Sequence, residues 1–119
     1  MADLTQWAQS LIGKVIADKY KVTNLLGIGG AGGVFLAKHT VLESNFALKL
    51  IVPNPHAGTM EEQEKRFVRE AATSLNLVHP RIVQVRDFGV DRDREVMYMA
   101  MDFVQGYNLA DILDTANKS

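Results

Sequence analysis

Three features of this chain could do chemistry on a phosphate: a cluster of glycines, a lone strand lysine and a carboxylate on the edge of an apolar helix face. Five of the nine glycines fall within Leu26-Gly27-Ile28-Gly29-Gly30-Ala31-Gly32-Gly33-Val34-Phe35. Glycines gather where backbone must approach another group closely or adopt φ > 0, and unpaired N–H groups in such a segment can converge on an anion. Lys49 is the only charge in the apolar run Phe46-Ala47-Leu48-Lys49-Leu50-Ile51-Val52. Alternation puts it on one face with Ala47 and Ile51. Glu70 lies three residues after Phe67 and one before Ala71. Either charge buried alone would be costly, whereas a buried pair is tolerable.

The elements that position these residues are strands first and a helix second. Val22, Leu25 and Leu26 precede the glycines and Val34-Phe35-Leu36-Ala37 follows them, so the loop joins two strands. A dinucleotide-binding fold would run from the glycines directly into a helix and place an acid about 20 residues on. That position is Ala47, and no Gly-Lys-Ser/Thr marks a Walker loop. A polar stretch from Lys38 to Asn45 leads into the Lys49 strand, which makes a β-meander. Thr59-x-x-Glu62 is a capping box, with Glu61 also in the first turn. The helix it opens is expected to run to about Val78 and stop before His79-Pro80, with Phe67, Ala71, Leu75 and Val78 as its apolar face. Leu4, Trp7 or Ala8, and Leu11 repeat at helical spacing, which suits a short amphipathic helix on this domain or on another chain; an extended lead is the alternative.

In this order the motifs resemble the N-terminal lobe of a eukaryotic-like bacterial serine/threonine protein kinase. Gly27-x-Gly29-x-x-Gly32-x-Val34 is similar to the family's G-x-G-x-x-G-x-V, and Phe46-Ala47-Leu48-Lys49 to its V-A-I-K. Arg66-Phe67-x-Arg69-Glu70-Ala71 resembles the helix that carries the family's glutamate. His79-Pro80-x-Ile82-Val83 resembles the loop that follows it, and Met101-Asp102-Phe103-Val104-x-Gly106 the hinge. The tip departs from the family. Gly30-Ala31 stands where a bulky or aromatic residue is usual, and Gly33 where a polar residue precedes the valine. Both imply a loop that shields phosphates less well and is mobile when empty.

The resemblance implies an α+β fold, a five-stranded antiparallel sheet with one helix (the family's αC) against it. Residues 1–14 would be a lead, 15–106 the lobe, and 107–119 the start of the next helix, with Asn108 as its N-cap. It implies ATP as cofactor. The backbone from Gly29 through Gly30, Ala31 and Gly32 to Gly33 would cover the phosphates, Lys49 would hold them, and Glu70 would orient Lys49. Ile28, Val34, Ala47 and Met101 would wall the adenine, and the backbone at Asp102 and Val104 would read its edge. The family's catalytic loop and Mg²⁺ ligands come after the hinge. The chain therefore reads as the ATP-binding half of a protein kinase, inactive alone, with a protein substrate for the whole kinase. The alternatives are a non-catalytic interaction module and a pseudokinase. The next sequence motif, Asp87-Phe88-Gly89, spells D-F-G but precedes the hinge, and is expected to end a strand instead of holding a metal.

Composition sets outer bounds. The chain has 119 residues, 47% of them hydrophobic, so one domain with a real core is expected. A net charge of −1 gives no reason to expect nucleic acid or an anionic membrane surface. There is no cysteine, and no apolar run near the ~20 residues of a membrane span. A cytoplasmic location is the default. Self-association is expected through Met97, Met99, Met101, Leu109, Ile112 and Leu113, or through the Leu4, Trp7, Leu11 stripe. Each site residue also has a plain structural reading. The glycines could form an ordinary hairpin, Lys49 could snorkel from an edge strand, and Glu70 could be a solvated acid paired with Arg66.

Overall fold

The computed structural model describes residues 4–29, 32–75 and 84–103. Helix α1 (Leu4–Ser10) precedes strands β1 (Val15–Ile16), β2 (Tyr20–Ile28), β3 (Gly32–His39) and β4 (Asn45–Ile51). Helix α2 (Met60–Leu75) and strands β5 (Val85–Asp91) and β6 (Val96–Asp102) complete it. All pairings are antiparallel, in the order β1-β2-β3-β4-β6-β5. The sheet thus has six strands, not the five expected. The addition is β1, two residues long, which folds back on Tyr20 and Lys21. Its turn places both Ala17 and Asp18 at positive φ, a geometry usually marked by Asn or Gly. The turn is held instead from outside: Asp91 Oδ2 accepts the Ala17 N–H at 2.8 Å.

Strand alternation sends side chains to two separate cores. On one face Phe35, Ala37, Leu48, Leu50, Tyr98 and Ala100 pack with Ala8 and Leu11 of the α1 segment. On the other Val34, Ala47, Met97, Met99 and Met101 pack with Phe67 and Ala71 of α2. β6 contributes to both, and every residue from Val96 to Met101 is buried. Trp7 meets Phe35 edge-to-face at 6.0 Å between centroids, so the apolar stripe of α1 is turned into its own sheet. Of the described residues offered above for self-association, the three methionines are at most 4% exposed and Leu11 5%, while Leu4 and Trp7 are half-buried. The methionines pack with Phe67 and Ala71 of α2, and Leu11 packs in the opposite core. Leu109, Ile112 and Leu113 lie outside the described residues.

The start of α2 forms as its sequence dictates. Glu62 Oε1 accepts the Thr59 N–H at 2.8 Å, and Thr59 Oγ1 accepts the Glu62 N–H at 3.1 Å. Replacing Thr59 with alanine should cost about 1 kcal/mol, read from the thermal midpoint. The Thr59 N–H, then its hydroxyl, holds the Glu62 carboxyl below its ordinary value of 4.5. A folded-state value depressed in this way stabilises fully above the ordinary value, and the benefit disappears as pH falls through the folded one. Glu62→Gln should therefore flatten part of the acid limb of a stability–pH profile. An unchanged limb would show that the cap does not form. The expected helix end near Val78 falls outside the described residues.

Candidate functional site

Lys49 sits at the middle of β4, an interior strand between β3 and β6, which removes the edge-strand reading. It is paired with Val34 on one side and Met99 on the other. Directly opposed residues share a face, so the lysine stem lies in the α2-side core, among Val34, Met99, Ala47 and Ile51. Burial lowers the affinity of its ammonium for the proton, and the Glu70 charge acts in the opposite sense. Glu70 itself is exposed on α2, yet close enough for its field to reach Lys49. A half-buried cation with that balance gains from any further negative charge brought to the same face.

The glycine segment is a hairpin end stitched at its base. Gly29 N–H donates to the Gly32 carbonyl at 2.9 Å, so that amide is already engaged. Gly32 is packed so closely on β4 that a Cβ would lie 1.9 Å from the Leu50 carbonyl oxygen. Gly33 has the Phe35 ring beneath it: a Cβ there would come within 3.2 Å of a ring carbon. Close backbone packing thus requires glycine at position 32, while position 33 is tightly fitted between the Gly27 carbonyl and the Phe35 ring. At Gly29 the space is open, with nothing within 4 Å of an added Cβ. Gly30 and Ala31 lie outside the described residues.

Val34, Ala47 and Met101 share the Lys49 face, with Ala47 directly opposite Met101. Ile28 does not join them. It pairs with Gly33, whereas Gly27 pairs with Val34, so its side chain belongs to the other phase of the strand, and it is 39% exposed. The residue that reaches the site face is Leu26, packed against the Val34–Met101 cluster. A register shift between Leu25 and Gly27 makes Leu26 an extra, bulged residue, and simple alternation counted along the sequence cannot register a bulge. Asp102 closes β6 with its N–H donated to the Gln84 carbonyl at 3.0 Å. Val104 lies outside the described residues.

Asp87-Phe88-Gly89 lies in a strand, as expected, but in the middle of β5, which continues to Asp91 before the turn. Asp87 Oδ2 accepts from Lys19 Nζ at 2.8 Å and from the Tyr20 hydroxyl at 2.7 Å. The bond to Asp87 raises the Lys19 ammonium's proton affinity; the Tyr20 hydroxyl is raised mainly by burial and further by the same carboxylate. Asp87 is therefore an internal acceptor that ties the start of β2 to β5, a role that adjacency in sequence does not reveal.

A twisted antiparallel sheet with a glycine hairpin, an interior-strand lysine and an acid-bearing helix over that face is the architecture of a protein-kinase small lobe. The chain belongs to the protein kinase domain family, whose model matches residues 20–119. It is 35% identical over 107 residues to serine/threonine-protein kinase PrkC of Bacillus subtilis (strain 168), a match covering 90% of this chain and 16% of that protein. It is 39% identical over 103 residues to serine/threonine-protein kinase pkn3 of Myxococcus xanthus, covering 86% of this chain and 18% of that one. The crystal structure of the Mycobacterium tuberculosis PknI kinase domain aligns with a TM-score of 0.61 at 34% identity, over 77% of this chain and 35% of that one. The chain thus spans less than a fifth of the length of these two curated relatives. Among the described residues no helix is long and apolar enough to cross a membrane.

Proposed function

We propose that these residues are the ATP-binding half of a serine/threonine protein kinase, in which Lys49 holds the phosphates and Glu70 orients it. The observation that carries this reading is Lys49: an ammonium placed on an interior strand, desolvated, directly across from Val34 at the exit of the glycine hairpin. The fit to a nucleoside triphosphate rests on the same residues. A desolvated cation recovers its hydration loss from an anion, and the space at Gly29 is open where phosphates would pass. Leu26, Val34, Ala47 and Met101 offer an apolar surface on that face for a purine, and the backbone at Asp102 and Val104 would read its edge. Bound ATP with Mg²⁺ would supply the transferable phosphoryl group. The base and metal ligands that phosphoryl transfer requires follow the hinge in this family, and no H-R-D occurs in these 119 residues. The substrate of the whole kinase would be a protein, and the location cytoplasmic.

The chain alone should bind ATP weakly, with a Kd no better than roughly 1 mM, or about −4 kcal/mol, and should phosphorylate nothing. An amide-shift titration checks this. Shifts confined to residues around Gly27–Val34, Lys49 and Asp102 are expected. Micromolar affinity would refute the picture of a half-site, and shifts elsewhere only would refute the site.

A further inference from the structure

An ion pair lies at the end of β6, on Asp102, a residue whose backbone is assigned to the purine edge. β5 carries a register shift between Val85, opposite Met101, and Asp87, opposite Ala100. Arg86 is the extra residue. A bulge bends its strand and re-aims the side chain that it carries. Here it brings the Arg86 guanidinium onto the Asp102 carboxylate in a two-point fork: Nε to Oδ1 at 2.8 Å and a terminal nitrogen to Oδ2 at 2.9 Å. The Asp102 N–H is held by the carbonyl of Gln84, the residue just before that strand. Residue 102 is thus fixed to the edge strand through both its backbone and its side chain.

We propose that Arg86 is a positioning residue for the nucleotide: its fork on Asp102 sets the backbone at the hinge in the orientation that receives the adenine edge. Most exposed ion pairs contribute little, but a two-point arginine–carboxylate fork restricts orientation as well as distance. Orientation is what a backbone hydrogen bond to a purine needs. Lysine would retain the charge and lose the fork. The phosphates, held by Lys49 at the other end of the site, would not sense Arg86. The inference rests on the ATP-binding reading given above.

The test is an amide-shift titration of the 119-residue chain with adenosine, ATP and inorganic tripolyphosphate. It compares wild type with Arg86→Ala, Arg86→Lys and the charge-swapped pair Arg86→Asp with Asp102→Arg. Arg86→Ala should weaken adenosine and ATP alike by roughly three- to tenfold and leave tripolyphosphate unchanged. Arg86→Lys should fall between it and wild type, and the swapped pair should recover most of the loss. Wild-type adenosine affinity in Arg86→Ala would overturn the proposal. So would an equal loss for tripolyphosphate, which would mark a merely structural role. If the wild-type chain binds neither ATP nor adenosine, the ATP-binding reading itself fails, a result seen before any variant is made, and the inference falls with it.

Discussion

Lys49→Met, made in the protein that carries this lobe, is expected to lower phosphotransfer by roughly 10²–10³-fold or more without loss of the fold. The two halves of that result have separate causes. On the ATP-binding reading the rate should fall because the ammonium would be the group that meets phosphate charge, and preorganised charge is the main source of catalysis in phosphoryl transfer. The fold survives because Lys49 lies where burial disfavours its charge, and methionine fills a similar volume among Val34, Met99 and Ile51 without that penalty. Thermal midpoint and single-turnover rate should therefore move independently. A variant that keeps near-wild-type turnover removes Lys49 from the site. One that unfolds shows that the lysine was needed for packing.

Phe35→Ala does the reverse and costs about 3–5 kcal/mol of folding free energy, a large part of what a domain of this size has. Phe35 is fully buried, carries Trp7 on its edge and lies under Gly33. Removing the ring leaves Trp7 of α1 without its edge-to-face partner and takes away the packing beneath Gly33. Trp7 is the only tryptophan, so its emission should shift to the red as the urea midpoint falls. A loss below about 1 kcal/mol would mean that the core closes over the gap, contrary to the close packing expected of such an interior.

The placement of much of the candidate site was legible because its residues obey local rules. The lone charge in an apolar strand placed Lys49, and the capping box placed the start of α2 at Met60. The same rules fail wherever the structure departs from strict alternation. Ile28 was carried over from the resemblance, and the bulge at Leu26 puts these two residues, which strict alternation would place on one face, on opposite ones. The Arg86 fork escaped notice for the same reason on β5. Strand β1 escaped because its turn uses Ala17 and Asp18 at positive φ, stabilised by Asp91 from far along the chain. The run Val96-Met97-Tyr98-Met99-Ala100-Met101 is apolar throughout, so no period shows which residue faces which core. Only the position of β6 between β4 and β5 supplies that.

That position also dictates when the lobe can become complete during synthesis. β4 ends at Ile51, but its neighbour in the sheet is β6, which ends at Asp102. A ribosome adding about 5–20 residues per second needs roughly 3–10 s to make the intervening chain. Throughout that interval the open side of β4 is an unpaired apolar edge, the kind of template on which nascent chains associate wrongly. β5 emerges before the strand it must pair with and can close nothing by itself. Among the described strands, the last one made is the keystone of the sheet.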